Sequence, residues 1–138
     1  MQTFGVRERF FHFEFFRQVG TGDLCALEVN MRPPGGLTLD MFNYACDVDI
    51  YDAWASMVAG DGYPYPDYSH KYYCCYVGRK FRRAYAHSHE DVLGYLAGHL
   101  VHHEPISGTF SNALGNYGYL IRSPELNEIV EMVKYVHE

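Results

Sequence analysis

Polar and apolar residues alternate with a period of two in two early stretches of the chain. In FFHFEFF (residues 10–16) Phe11, Phe13 and Phe15 fall on one face, and His12 and Glu14 on the other. In LEVNMR (residues 27–32) Leu27, Val29 and Met31 share one face, while Glu28, Asn30 and Arg32 share the opposite one. The pattern predicts strands over about 8–17 and 24–31. The polar, glycine-containing link Arg17 to Asp23 predicts that they pair as an antiparallel hairpin. Pro33-Pro34-Gly35-Gly36 cannot continue a central strand, so the polar row ends at a strand terminus that a ligand can reach.

Helical spacing then takes over. Thr38 can cap a short helix through Leu39–Ala45. Asp49 can cap a second through Ile50–Ala59, with Gly60 as its left-handed stop. The apolar face of the second helix is Ile50, Ala53, Trp54, Met57 and Val58. Residues 60–67 read as a stiff loop. His70–Val77 and Phe81–Ala86 then read as a hairpin turning at Gly78-Arg79-Lys80. Ser88 and Asp91 form a capping box that opens a helix reaching Gly98. Strands are expected at Leu100–Ile106 and Tyr117–Arg122. Ser123-Pro124 should start a last helix with the stripe Leu126, Ile129, Val130, Val133 and Val136. This order predicts an α+β fold, mainly antiparallel sheet with flanking helices. The 138 residues suit a single domain, and no repeat or low-complexity tract divides them.

Charge and composition narrow the function classes. A net charge of −6 argues against a nucleic-acid footprint, and any polyanionic ligand would need local positive charge or metal. No stretch approaches the ~20 apolar residues of a membrane span and no leader pattern opens the chain, so a cytoplasmic location is expected. Cys25, Cys46, Cys74 and Cys75 lack zinc-ligand spacing and read as reduced, small apolar residues. The many tyrosines and phenylalanines read first as core and sheet surface.

The polar row carries the chemistry. Folded as a hairpin, Glu14 comes beside Glu28 and Asn30, and clustered carboxylates repel unless a cation lies between them. Oxygen donors of this kind suit Mg²⁺ (or Mn²⁺), and a guanidinium such as Arg32 suits the phosphate that accompanies such an ion. An amphipathic sheet whose polar face merely meets water shows the same alternation. His12 shares the face of Glu14 and reads first as a structural, hydrogen-bonded imidazole. His87, His89, His99, His102 and His103 have no zinc-like spacing. Arg79, Lys80, Arg82 and Arg83 make a basic patch that is either a solvated turn or a contact for substrate or a partner subunit.

Phe13-Glu14-Phe15, followed after a hairpin by Leu27-Glu28-Val29-Asn30-Met31-Arg32, resembles the end of the nucleotide site in the ATP-grasp superfamily, in particular the biotin carboxylases and the large subunit of carbamoyl-phosphate synthase. Asp47 through Gly60 resembles the helix that follows in that family, so the likeness covers roughly residues 8–62. The resemblance implies that Glu14, Glu28 and Asn30 hold the magnesium that bridges ATP phosphates. It assigns Arg32 to the reacting phosphate or carboxylate. The expected activity is that of an ATP-dependent carboxylate–amine ligase, or a bicarbonate and ammonia counterpart, working through an acyl-phosphate. The family's glycine-rich loop and phosphate-gripping lysines lie upstream of these strands and have no match here. The chain therefore reads as the C-terminal lobe of an ATP-grasp fold, with residues 63–138 as further strands and a closing helix. Its expected partners are ATP, a small carboxylate or bicarbonate, and a first lobe supplied in cis or by another subunit, with homo-oligomerisation open. The rival reading is a non-catalytic interaction or regulatory domain that keeps the fold.

Overall fold

The computed structural model describes Gly5, residues 10–60 and residues 68–138. The expected strand start at residues 8–9 and most of the loop 60–67 lie outside the described residues. The elements run β1 (His12–Arg17), β2 (Leu24–Asn30), α1 (Thr38–Cys46), α2 (Ile50–Ala59), β3 (Tyr73–Arg79), α3 (His89–Leu96), β4 (Leu100–Pro105), α4 (Ser111–Leu114), β5 (Tyr117–Ser123) and α5 (Leu126–His137). The class is α+β with two small antiparallel sheets and flanking helices. Two compact units divide the chain: one holds β1, β2 and α2, the other most of α1 and everything from β3 onward.

In the first unit β1 and β2 form the expected antiparallel hairpin. Its turn closes through Gln18 N–H donating to the Asp23 carbonyl at 2.9 Å and Gly22 N–H donating to the Gln18 carbonyl at 3.0 Å. Gly20 and Gly22 both adopt positive φ there, which glycine tolerates without steric cost. Both ends of α2 follow the sequence reading. The Asp49 carboxylate accepts the Tyr51 and Asp52 N–H groups at 3.0 Å each, and Gly60 closes the helix at φ +79°. Of its predicted apolar face only Ile50 and Ala53 are buried, while Trp54 and Val58 are exposed.

The second unit is a three-stranded sheet in the order β3-β5-β4, antiparallel throughout. Here the sequence reading needs correction. Phe81–Ala86 is not a strand, and Gly78-Arg79 is not a turn but the end of β3, paired with Tyr117 and Gly118 of β5. Gly78 marks a close approach of backbones instead: a Cβ there would overlap the Leu114 carbonyl, which also accepts the Tyr76 hydroxyl at 2.9 Å. Short α4, in the segment expected to be a loop, supplies that carbonyl.

Alternation along β3 and β5 puts Val77, Tyr119 and Ile121 on the face that meets Val92 and Leu96 of α3 and Ile129, Met132 and Val136 of α5. These eight residues form the core cluster. The Ser88–Asp91 capping box opens α3 as predicted, though the helix stops at Leu96 rather than Gly98. In α5 the buried stripe is Ile129, Met132 and Val136, and the predicted Leu126 and Val130 are exposed. The helix begins at Leu126 with Glu125 as its cap, two residues past the expected Ser123-Pro124 start. Ser123 is buried at the end of β5, where its Oγ accepts the Glu125 N–H at 3.0 Å and donates to the Glu128 carboxylate.

One charged side chain ties this unit together. Arg79 is only 7% exposed, and its Nε donates to the Val136 carbonyl at 2.7 Å, near the C-terminal end of α5. Its Nη1 donates to the His87 carbonyl at 2.8 Å, before α3, while the Tyr85 ring lies 4.3 Å beneath the guanidinium. The basic patch expected from sequence is thus broken up. Lys80 and Arg83 also donate to backbone carbonyls, of Asn112 and His137. At the end of α1, Asp47 takes a left-handed φ of +52°, and its carboxylate meets Arg122 at 2.6 Å and Lys71 at 3.7 Å. The Arg122 guanidinium holds the Asp47 carboxyl below its ordinary value.

Two stability effects follow. Arg79→Leu leaves two carbonyls without their donors and is expected to cost on the order of 3 kcal/mol by urea denaturation. Arg79→Lys should recover only part of the loss, because an ammonium lacks the planar fork. Asp47→Asn keeps a residue that tolerates the left-handed backbone but removes the charge. Because the folded-state pKa is depressed, the Asp47 contribution exists above the unfolded value of 3.8 and fades as the pH falls through the folded one. The urea midpoint of Asp47→Asn should therefore lie below wild type at neutral pH, and the two should converge below pH 3.8.

Candidate metal centre

The polar face of the β1–β2 hairpin gathers four side chains. His12 pairs with Asn30 and Glu14 pairs with Glu28, so the two carboxylates stand directly opposite one another. Immediately beyond, the partner of Phe15 is Ala26 rather than Leu27, so β2 bulges next to Glu28. Alternation puts the four polar side chains on one face and Phe11, Phe13 and Phe15 on the other, where successive rings lie 5.4 and 6.1 Å apart.

One donor atom from each of His12, Glu14 and Glu28 lies within 4.8 Å of the other two. Among the described residues no other set of three histidine, cysteine or acidic side chains meets that spacing. Asn30 lies in the same row. Its Nδ2 donates to Glu28 Oε1 at 2.6 Å and approaches His12 Nε2 at 3.1 Å.

The hydrogen bonds fix the state of the imidazole. His12 Nδ1 lies 3.1 Å from the Arg32 carbonyl, which can only accept, so Nδ1 carries the proton. The amide nitrogen of Asn30 can only donate, so Nε2 faces the cluster with its lone pair free to accept. That Nε2 lies 3.6 Å from Glu14 Oε1. Lone pairs from two carboxylates and an imidazole thus converge, and the Asn30 amide offers the positive end of its dipole to two of them. A divalent cation fits this donor set. Both glutamates are exposed, so their carboxylates could turn toward such an ion.

Of the residues singled out from sequence, Glu14, Glu28 and Asn30 are brought together. The Arg32 side chain is not brought to them: its Nη1 donates to the Pro33 carbonyl at 3.1 Å, and no ion pair joins it to either carboxylate. What Arg32 gives the cluster is its own carbonyl, received by His12. His12 is the hydrogen-bonded imidazole expected from sequence, and it lies on the same face as the carboxylates. The remaining histidines of the sequence analysis make separate pairs, His89 with Tyr119 at 2.7 Å and His103 with Tyr117 at 2.6 Å, and do not assemble a metal set. The four cysteines are free; burial pushes the Cys74 thiol up to about 11, which keeps it protonated and unreactive. Among the described residues no helix is long and apolar enough to cross a membrane.

No protein-family model, curated protein or solved structure matches the chain.

Because Glu14 and Glu28 face each other across the pair, neutralising one has opposite effects with and without metal. In chelator, Glu14→Gln should be as stable as wild type or more so, by about 0.2–1 kcal/mol, since like charges directly opposite destabilise a sheet. With excess Mn²⁺, wild type should gain thermal stability and Glu14→Gln should gain much less. Thermal unfolding followed by circular dichroism checks both arms.

Proposed function

We propose that this chain is the C-terminal part of an ATP-dependent ligase of the ATP-grasp kind, joining a small carboxylate or bicarbonate to an amine or ammonia through an acyl-phosphate, with the β1–β2 hairpin as its metal and phosphate edge. The observation that carries the reading is the meeting of Glu14 and Glu28 as cross-strand partners with Asn30 beside them. It is joined by the sequence order Glu28, Asn30, Arg32, which the resemblance to that superfamily makes specific.

In this reading Glu14 and Glu28 hold the cation through carboxylate oxygens. Asn30 joins them through Oδ1 once its amide turns over, exchanging two hydrogen bonds for one coordination bond. Bound between these groups and the ATP phosphates, Mg²⁺ or Mn²⁺ supplies charge neutralisation for the transferring phosphoryl group. Protein sites for Mg²⁺ commonly offer only one or two carboxylates and rely on substrate phosphates for the rest, which agrees with the openness of this hairpin. Arg32 is exposed, and its guanidinium is tethered only to the neighbouring carbonyl, so a rotation of its own side chain presents the planar fork to an anion at the strand end. There it stabilises negative charge on the transferring group or on the carboxylate that receives it. In this reading the phosphate-gripping loop and lysines of such an enzyme would be supplied in cis or by a partner subunit.

The decisive measurement is ADP release by the complete ligase, with acyl-phosphate trapped by hydroxylamine. Glu28→Gln should lower Mg-ATP-dependent turnover by about 10²–10³, and Arg32→Lys by a comparable factor. Unchanged ADP release in Glu28→Gln would rule out the metal role and favour a non-catalytic domain.

A further inference from the structure

The oxygen donors expected from the resemblance leave one member of the cluster unaccounted for. We propose that His12 is a direct ligand of the hairpin cation through Nε2, and that this nitrogen biases the site toward a first-row transition ion such as Mn²⁺ over Mg²⁺. The inference rests on the reading of the hairpin as a cation site and names a ligand and an ion preference beyond it.

Three features of the chain carry it. First, the imidazole is held in the tautomer a ligand needs. The Arg32 carbonyl accepts from Nδ1–H at 3.1 Å, and in the neutral ring that leaves the Nε2 lone pair toward the cluster. A histidine that gives its distal N–H to a backbone carbonyl and aims the other nitrogen at an ion is the usual arrangement around bound metals. Second, Nε2 points at the carboxylates rather than away from them, 3.6 Å from Glu14 Oε1 and within 4.8 Å of the Glu28 donor atom. Third, the His12 side chain is only 16% exposed against 49% for Glu14, so the ring is the better-positioned member of the set. A purely structural histidine would need only the Arg32 bond. The second nitrogen meets the Asn30 amide at 3.1 Å, a bond that an ion held beside the carboxylates would replace.

Ion preference follows from donor chemistry. Carboxylates and amide oxygens accept Mg²⁺ and Mn²⁺ alike, whereas an imidazole nitrogen adds affinity for Mn²⁺, Fe²⁺ or Zn²⁺ and little for Mg²⁺. A site of two carboxylates and one imidazole therefore discriminates where two carboxylates and an amide would not.

Pulsed electron paramagnetic resonance of the full chain loaded with Mn²⁺ tests this without any enzymatic assay. The expected spectrum shows hyperfine modulation from a directly bound imidazole nitrogen. Glu28→Gln should abolish it together with Mn²⁺ binding. His12→Gln should remove the nitrogen modulation and weaken Mn²⁺ about tenfold, while the Mg²⁺ affinity, read by displacement of Mn²⁺, stays within about twofold. Mn²⁺ bound in a Glu28-dependent way with no nitrogen modulation in wild type would overturn the role of His12 and leave the carboxylate site standing. So would nitrogen modulation that survives in His12→Gln. Mn²⁺ binding that is absent, or indifferent to Glu28→Gln, would overturn His12 as a ligand and the cation site of this chain, whereas the ligase reading is overturned separately by unchanged ADP release in the complete enzyme. The wild-type spectrum decides the first point even if His12→Gln disturbs the hairpin.

Discussion

Two carboxylates stand opposite each other across a single pair of strands, and the local structure of the hairpin answers to their repulsion. Directly opposed positions bring Cβ atoms to about 4.5–5.5 Å, close enough for like charges to work against strand pairing. A two-stranded sheet has little stability to spare, since three strands or a packed layer are the usual minimum. The pairing of Glu14 with Glu28 is therefore a constraint accepted where it costs most. The compensation is local. Asn30 directs its amide hydrogens at Glu28 and His12, and the Gln18–Asp23 turn holds the register from the far end. A cation between the carboxylates would turn the repulsion into the attraction that orders the hairpin.

The second unit handles its charge the opposite way. Arg79 is buried beside the core and meets carbonyl oxygens and an aromatic face rather than a carboxylate. It spends a cation on the partial negative charge at the end of α5 and on the loop leading into α3, fixing two helices to the edge of β3. Its partners are two carbonyl dipoles and an aromatic ring, which hold the guanidinium inside this unit. Glu14 and Glu28 are exposed, paired with each other, and short of positive partners. Burial and partnering thus separate the charge that supports the fold from the charges that lie exposed on the hairpin.

What could be read from sequence follows the same division. Periodicity gave the faces of β1 and β2, and cap chemistry gave the ends of α2 and the start of α3, because both are set within a few residues. The second hairpin failed on Gly78, whose turn-like neighbourhood concealed a close contact with a carbonyl 36 residues later, information that no local pattern contains. Arg79 failed for the same reason: it looks like a basic surface residue until its carbonyl partners at 87 and 136 are known. The stripe of α5 differs from the expected one because its buried side includes Met132, while Leu126 and Val130 are exposed. In the site, the carboxylates and Asn30 were legible from alternation, whereas the orientation of His12 depends on a backbone carbonyl 20 residues away.

That carbonyl belongs to Arg32, and it gives the Pro-Pro corner a role beyond ending a strand. A residue that precedes proline is confined to extended backbone, so Pro33 restricts how the Arg32 peptide can turn. The restricted carbonyl receives the Nδ1 proton of His12, and the imidazole is thereby oriented by the backbone of one strand while its Cα belongs to the other. Within LEVNMRPPGG the side chains of Glu28 and Asn30, the main chain of Arg32 and the ring of Pro33 act on one cluster, and the Arg32 side chain is left free at the rim. Arginine at this position can therefore serve two ends at once, because its guanidinium is not needed for what its carbonyl holds. Replacing its side chain should leave the imidazole where it is, whereas altering the proline that follows should loosen it.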